Sequence, residues 1–359
     1  MKNNKIFFNS KILYIFFITL SLNIFFCPAV KSDVKSFDIN NIDISRPFEI
    51  NFNKNEVIDE GFKEAFSKLT KLILNSSDQK KVKSTKINEI KGMIESFSIK
   101  EEKFINEIYY VNLGVSFNKK KIYNYLEKKN VFPSIPVKKK ILFIPVIINE
   151  SNKELLIFSG NEIFKIWNDD IKNFHLIEYI LPTEDLEDLR IIKKNYDSIE
   201  NYNFKEIISK YDLTDNIVAL IFKGKKKARI LSKINIQKNV VIMNQSFVDL
   251  EMNDNDQVKK IVNTLKTIYE DNWKDYNQIN TSIKLPLNIK IDNYDILKIL
   301  NFEKNMTDSD LIYDFFITKF DKNFTYYQII FNGTPNIFLK NMSEKNYEFD
   351  TQNRVWILK

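Results

Sequence analysis

The chain has 359 residues, of which 54 are basic and 47 are acidic, and 44% are hydrophobic. This hydrophobic content, with 14% aromatic residues, suffices for packed cores and excludes a disordered chain. Only four residues are arginines, and because arginine makes the bidentate contacts to bases and phosphates, nucleic-acid binding is disfavoured.

The amino-terminal segment predicts export. Lysines precede an apolar run over residues 12–26, which is the pattern of a secretory signal peptide. Val30 and Ser32 are small enough for the signal peptidase pocket, so cleavage is predicted after Ser32. Residues 1–32 are therefore interpreted as a signal peptide, and the remainder as a periplasmic protein of a bacterial cell envelope.

An uncleaved membrane anchor is the alternative for the same segment. The apolar stretch over residues 12–30 approaches the length of a membrane span, so it would hold the protein at the inner membrane, facing the periplasm. Lipidation of Cys27 is disfavoured, because Phe26 stands where a lipidated cysteine needs a small neighbour.

Loss of the signal peptide would remove most of the excess charge and the single cysteine. About 327 residues would remain, with a charge balance of +3 and no thiol. Disulfides and cysteine metal ligands are thereby excluded, and the fold has to rest on hydrophobic packing. A chain of this length predicts two or three domains.

Residues 33–136 are predicted to form a small α+β domain. A polar lead-in precedes a short strand over residues 48–52, and apolar residues between 57 and 73 share one helical face. A second helix is predicted from about Thr85, and a strand over residues 109–117 follows. The apolar stripe of the second helix consists of Ile87, Ile90, Ile94 and Phe97.

Residues 137–280 are predicted to form an α/β domain with a mixed sheet. The continuous apolar run over residues 141–148 is typical of a strand covered on both faces. Ser159 and Glu162 match a capping box at the start of the next helix. The other predicted elements are a helix near 204–211, a hairpin of strands at 217–222 and 228–236, strand material at 240–252 and a long helix at 258–273.

Residues 281–359 are predicted to form a ferredoxin-like βαββαβ unit. Its predicted elements are a strand at 285–291, a helix at 294–300, strands at 311–320 and 324–331, a helix at 335–342 and a strand at 355–358. The predicted fold class is therefore a series of small α+β and α/β modules, in which helices pack on mixed sheets.

Four segments are similar to a known protein family. They are Ala65–Leu74, the strand Tyr109–Phe117 followed by Asn118, the strand near Ile141, and the block Leu181–Leu189 ahead of a helix ending at Lys210 and Tyr211. Together they resemble, over residues 33–269, a family of exported proteobacterial proteins known only as a domain of unknown function. The resemblance implies a signal peptide and an envelope location, and it implies no catalytic residues.

The motifs of common enzyme classes are missing from the sequence. His175 is the only histidine, so a zinc site with two histidines is excluded and a Ser-His-Asp triad could form only around this residue. His175 is interpreted as structural or solvent-facing, and no cofactor or metal site is predicted. Neither GxSxG nor a phosphate-binding GxxxxGK[ST] occurs.

Glu184, Asp185 and Asp188 are the candidates for carboxylate chemistry. Two carboxylates on separate elements can act as acid and base in glycoside hydrolysis, and several carboxylates can bind calcium. The simpler interpretation places these acids in the first turn of a helix capped by Thr183, where the helix dipole favours negative charge. Asp254 and Asp256 are likewise interpreted as a helix start.

The export signal, the series of modules and the missing enzyme motifs lead to one functional hypothesis. The protein is predicted to be a non-enzymatic envelope protein that binds protein or wall partners in envelope assembly or maintenance. The expected partners are envelope proteins, and membrane contact is expected only through the signal or an uncleaved anchor. The alternative is a carboxylate-based periplasmic hydrolase of glycan or peptide substrates, so the question of enzymatic activity stays open.

Overall fold

A computed structural model describes residues 37–169, 174–249 and 254–359. The predicted signal peptide, its alternative as an anchor and Cys27 lie outside these residues. Three β-sheets with packed helices make up the described chain, and each sheet takes its strands from one contiguous segment. The predicted α+β and α/β class is confirmed.

The first sheet has three antiparallel strands in the order β1-β3-β2. The elements of this segment are β1 (Asp38–Pro47), α1 (Lys54–Ile73), α2 (Ser76–Val82), α3 (Ile87–Met93), β2 (Ile94–Ile105), β3 (Ile108–Phe117) and α4 (Lys119–Lys128). The predicted helix at 57–73 and strand at 109–117 are confirmed. Asn118 caps α4, because its Oδ1 accepts the amide hydrogen of Lys121 at 3.0 Å.

Two predictions for this segment are wrong. Residues 48–52 form no strand, and the first strand lies in the polar lead-in, where it pairs with β3 and keeps most side chains partly or fully exposed. The second helix ends at Met93, so Ile94 and Phe97 belong to β2. Most side chains of β1 and β2 are exposed, so no buried face imposes an alternation of apolar and polar residues on these edge strands.

The second sheet is mixed and has six strands. Its order is β5-β4-β7-β8-β9, with β6 beside β4. The elements are β4 (Lys139–Asn149), β5 (Glu154–Leu156), α5 (Glu162–Ile166), β6 (Ile177–Ile180), α6 (Leu186–Lys194), α7 (Lys205–Ile208), β7 (Asn216–Lys223), β8 (Lys227–Ile236), β9 (Asn239–Val248) and α8 (Asn255–Tyr276), with 3₁₀ turns at Phe158–Gly160 and Tyr196–Ser198. Asp254 caps α8, which confirms the predicted helix start.

Strand β4 is covered on both faces, as its apolar run predicts. Phe143 packs in the core that contains α8, whereas Ile144 packs in the opposite core with α6 and α7. The edge of β4 away from β7 has a gap, because β6 pairs with residues 139–142 and β5 with residues 147–149. Pro145 lies in this gap, where its missing amide hydrogen interrupts no ladder bond.

The predicted capping box at Ser159 is wrong, because Asn161 caps α5. Its Oδ1 accepts the amide hydrogens of Ile163 at 2.9 Å and Phe164 at 3.1 Å. Its Nδ2 donates to the carbonyl of Pro145 at 3.1 Å, and its side chain is fully buried. A buried asparagine that makes these three bonds joins α5 to the gap in β4.

The third sheet has the order β11-β12-β10-β14-β13. Its segment consists of β10 (Leu285–Asp292), α9 (Ile296–Asp308), β11 (Ile312–Phe320), β12 (Phe324–Phe331), α10 (Pro335–Ser343), β13 (Phe349–Asp350) and β14 (Trp356–Leu358). The βαββαβ order is confirmed, with β13 as an additional short strand. The last strand runs parallel to β10, with Ile289 opposite Trp356.

The first segment contacts both of the others through polar groups on its helices. Lys274 on α8 donates to the carbonyl of Lys71 at 2.6 Å. The hydroxyl of the buried Tyr123 on α4 donates to the carbonyl of Asp310 at 3.1 Å, just before β11. The described residues belong to one compact unit, and the predicted boundaries at residues 136 and 280 stay a prediction.

Candidate functional site

The candidate acids lie where the chain leaves β6 and enters α6. In open sheets with parallel strands, ligands bind in the crevice outside the carboxyl ends of the strands, at a switch in strand order. Strand β6 is parallel to β4 and ends beside the gap that holds Pro145. The segment from Leu181 to Asp188 therefore lies where such crevices form.

Lys210 is the common partner of two of these acids. Its Nζ lies 2.6 Å from Oδ2 of Asp185 and 2.6 Å from Oδ1 of Asp188. The hydrogen bonds to Asp185 and Asp188 raise the pKa of Lys210 well above its usual range. The hydrogen bond from Lys210, followed by the one from the Glu187 amide, lowers the pKa of Asp185. Asp185 is therefore ionised at neutral pH and unsuited to donate a proton.

Asp185 and Glu184 are also bound to backbone amides. Oδ1 of Asp185 accepts the amide hydrogen of Glu187 at 2.8 Å, so Asp185 is the N-cap of α6. The predicted cap at Thr183 is wrong, because the amide of Thr183 instead donates to the hydroxyl of Tyr211 at 2.8 Å. Oε1 of Glu184 accepts the amide hydrogen of Ser159 at 3.0 Å. These bonds tie the acidic segment to its neighbours in the fold.

Asp188 has one oxygen without a hydrogen-bond partner among the described residues. The residue is 1% exposed, and the oxygen without a partner is Oδ2. Asp188 lines a cavity of about 10 Å³ with apolar residues, namely Ile144, Pro145, Ile157, Phe158, Phe164, Pro182, Ile192 and Ile207. A space of this size holds about one water molecule. It leaves no room for a sugar or a peptide beside Asp188.

The three candidate acids therefore do not face one another across a cleft. They come from one loop and the first turn of one helix, and each has a carboxylate oxygen bound to lysine or to a backbone amide. Within the described ranges, no three histidine, cysteine, aspartate or glutamate side chains converge on a possible metal position. The ring of His175 packs edge-on against Phe174, with centroids 5.0 Å apart. A catalytic role for the acids stays a prediction.

Sequence reasoning missed Lys210 as the residue that joins these acids. It lies 22 residues after Asp188 and beyond the end of α7, a separation from which no local spacing rule predicts a contact. The neighbouring Tyr211 also contacts the acidic segment, so two consecutive residues bind it.

A cluster of exposed apolar residues lies on the third segment. Tyr294, Ile296, Leu297 and Leu300 are between 55% and 99% exposed. The last three share one side of the first turns of α9, because residues three and four apart are neighbours on a helix. Asp295 caps the helix by accepting the amide hydrogen of Lys298 at 3.0 Å. We call these four residues the α9 patch.

Comparisons with known proteins do not indicate a function for this chain. No family model matches the sequence, and no curated protein matches it. Among the described helices, none combines the length and apolarity needed to cross a membrane. The carboxylates of the acidic segment are hydrogen-bonded to other groups of the protein, whereas the side chains of the α9 patch are exposed to solvent.

Proposed function

We propose that this chain is an exported, non-enzymatic protein of the bacterial cell envelope that binds other envelope proteins during envelope assembly or maintenance. The amino-terminal pattern of lysines and apolar residues supports export. The resemblance of residues 33–269 to exported proteobacterial proteins of unknown function supports the same compartment. Both observations come from the sequence. A binding function also requires an exposed surface that a partner can contact.

The α9 patch is the observation that carries the proposal. Single exposed apolar residues are common on protein surfaces, but three on adjacent turns of one helix, with Tyr294 just before its cap, form an apolar surface of the kind that marks protein contacts. Full burial of one such side chain contributes about 1.5 to 3 kcal/mol. The cap at Asp295 holds the turn in shape before a partner arrives, which reduces the entropy lost on binding.

The hydrolase alternative rests on Glu184, Asp185 and Asp188. It predicts that Glu184→Ala and Asp185→Ala abolish cleavage of wall fragments while the stability of the fold changes little. The internal bonds of these acids favour a structural role, in which the same changes loosen the start of α6. Release of sugar or peptide fragments by the purified chain, lost on either substitution, would support the hydrolase.

Site-specific photocrosslinking tests the binding proposal in the native envelope. A benzoylphenylalanine residue replaces Leu297 in the full chain, and captured partners are identified by mass spectrometry. The matched control carries the same group at Leu186, an isolated leucine that is 84% exposed on α6. Reproducible capture of an envelope protein at position 297 alone is expected. Capture of no protein at position 297, or equal capture at both positions, contradicts the proposal.

A further inference from the structure

Strand β9 forms an edge of the second sheet and carries no charged residue. It extends from Asn239 to Val248, pairs with β8 along its length, and has no other strand partner among the described residues. The strand also lacks proline and glycine. Its free backbone edge therefore offers a row of amide and carbonyl groups to another strand.

The other edge strands carry the features that prevent such pairing. Natural sheets protect their edges with charges, with proline or with very short strands. The protected edges are β1 with Asp38, Asp43, Arg46 and Pro47, β2 with Glu95, Lys100, Glu101, Glu102 and Lys103, β11 with Asp314 and Lys319, and the strands β5, β6 and β13 of four residues or fewer. Among the described edges, β9 is both long and unprotected.

The side chains of β9 alternate between two environments. Val241, Met243 and Phe247 are partly buried against the core that contains α8. Val240, Ile242 and Val248 point to the other face and are 60%, 62% and 77% exposed. The strand thus presents apolar side chains on both faces next to an open edge, which suits a partner strand of similar composition.

The charges at the two ends of β9 are self-complementary in an antiparallel pair, which favours a second copy of this chain as the occupant. Lys238 precedes the strand and Asp249 follows it, and both are exposed. An antiparallel pair of two β9 strands brings the lysine end of one copy to the aspartate end of the other. A parallel pair would place like charges together at each end.

We infer that two copies pair antiparallel through β9 and join their second sheets into one continuous sheet. A two-fold axis perpendicular to the sheet keeps each side chain on its own face. The sequence numbers of two opposite residues therefore differ by an even number. Pairing centred on Asn244 places Val240 opposite Val248 and Val241 opposite Phe247, so apolar side chains meet on both faces. The ten-residue strands would form roughly ten backbone hydrogen bonds.

Disulfide trapping at the centre of the interface is the test. The full chain with Cys27→Ser carries Asn244→Cys, and the matched control carries Ser98→Cys on the charged edge strand β2. Directly opposite residues lie about 4.5 to 5.5 Å apart between Cα atoms, within the range that a disulfide spans. Mild oxidation is expected to yield a covalent dimer from Asn244→Cys and monomer from Ser98→Cys. No dimer from Asn244→Cys, or equal dimer from both, overturns the inference.

A charge exchange at the same position separates a lost interface from a lost fold. Asn244 is exposed, so Asn244→Lys and Asn244→Asp leave the fold intact, as circular dichroism would confirm. Sedimentation velocity is expected to show each variant as a monomer, because like charges then face each other, and the mixture as a dimer. A dimer that withstands Asn244→Lys, or a wild-type chain that stays monomeric at all concentrations, overturns the inference.

Discussion

The ammonium group of Lys210 donates to the buried carboxylate of Asp188 across 2.6 Å, and the two residues come from different parts of the chain. Lys210 is one third exposed, whereas Asp188 is almost completely buried. The lysine therefore reaches in from the surface to neutralise a carboxylate that has little access to water. Burial of a charge without such a partner is strongly unfavourable.

Removal of the lysine should reveal this dependence. Lys210→Met leaves the buried carboxylate of Asp188 unpaired, so the free energy of unfolding should fall by clearly more than in Lys193→Met, an exposed control on α6. Replacement of the pair by Lys210→Met with Asp188→Leu should recover stability, because leucine can pack against the surrounding apolar residues. Urea unfolding measures all three. Equal stability of the two single variants would show that the pair is unimportant.

The fully buried Asn161 should be a second sensitive position. Asn161→Ala removes the cap of α5 and leaves the carbonyl of Pro145 without this donor, which should cost about 2 kcal/mol of stability. Asn152→Ala, in the exposed turn before β5, is the control and should change stability by less than about 0.5 kcal/mol. Denaturant titration of both variants checks the difference. A loss in Asn161→Ala no larger than in the control would contradict the proposed role.

The buried Glu270 should make stability depend on pH. Burial raises the pKa of Glu270 above its usual range, although the amides of Ile177 and Leu176 and the ammonium of Lys274 oppose the shift. A carboxyl with a raised pKa in the folded state contributes stability at low pH that is lost as the pH rises through the folded pKa. Glu270→Gln should therefore show less loss than the wild type as the pH rises from about 4 towards neutral. Unfolding measured across this range tests the sign, and identical slopes would contradict it.

The amino terminus of the exported chain tests the predicted processing. The mass of the protein recovered from the envelope should correspond to a chain that begins at Asp33. Ser32→Trp should block cleavage and keep the chain at the membrane, because the peptidase needs a small residue at this position. Recovery of the wild-type chain with residues 1–32 retained would favour the uncleaved anchor.

Local patterns predicted the elements whose side chains alternate between a core and solvent. The helix at 57–73 and the strand at 109–117 are recognisable because burial of one face imposes a period on the sequence. The hairpin of β7 and β8 is recognisable from two apolar runs joined by a turn that contains glycine and lysines. The same reasoning failed for β1 and β2. These are edge strands whose side chains are mostly exposed, so packing selects no regular pattern in them.

Charge, cysteine content and hydrophobic period are local properties of a sequence, and from them come the class of fold and the predictions of an envelope location and of a processed chain without thiols. The partners of the acids become evident only in the folded chain. Lys210 reaches Asp188 across 22 residues of sequence, and Asn161 rather than Ser159 caps α5 because its amide also reaches Pro145 in a distant strand. Such contacts join residues that are far apart in the sequence and meet only after the chain has folded. The spacing of residues along the sequence therefore does not predict them.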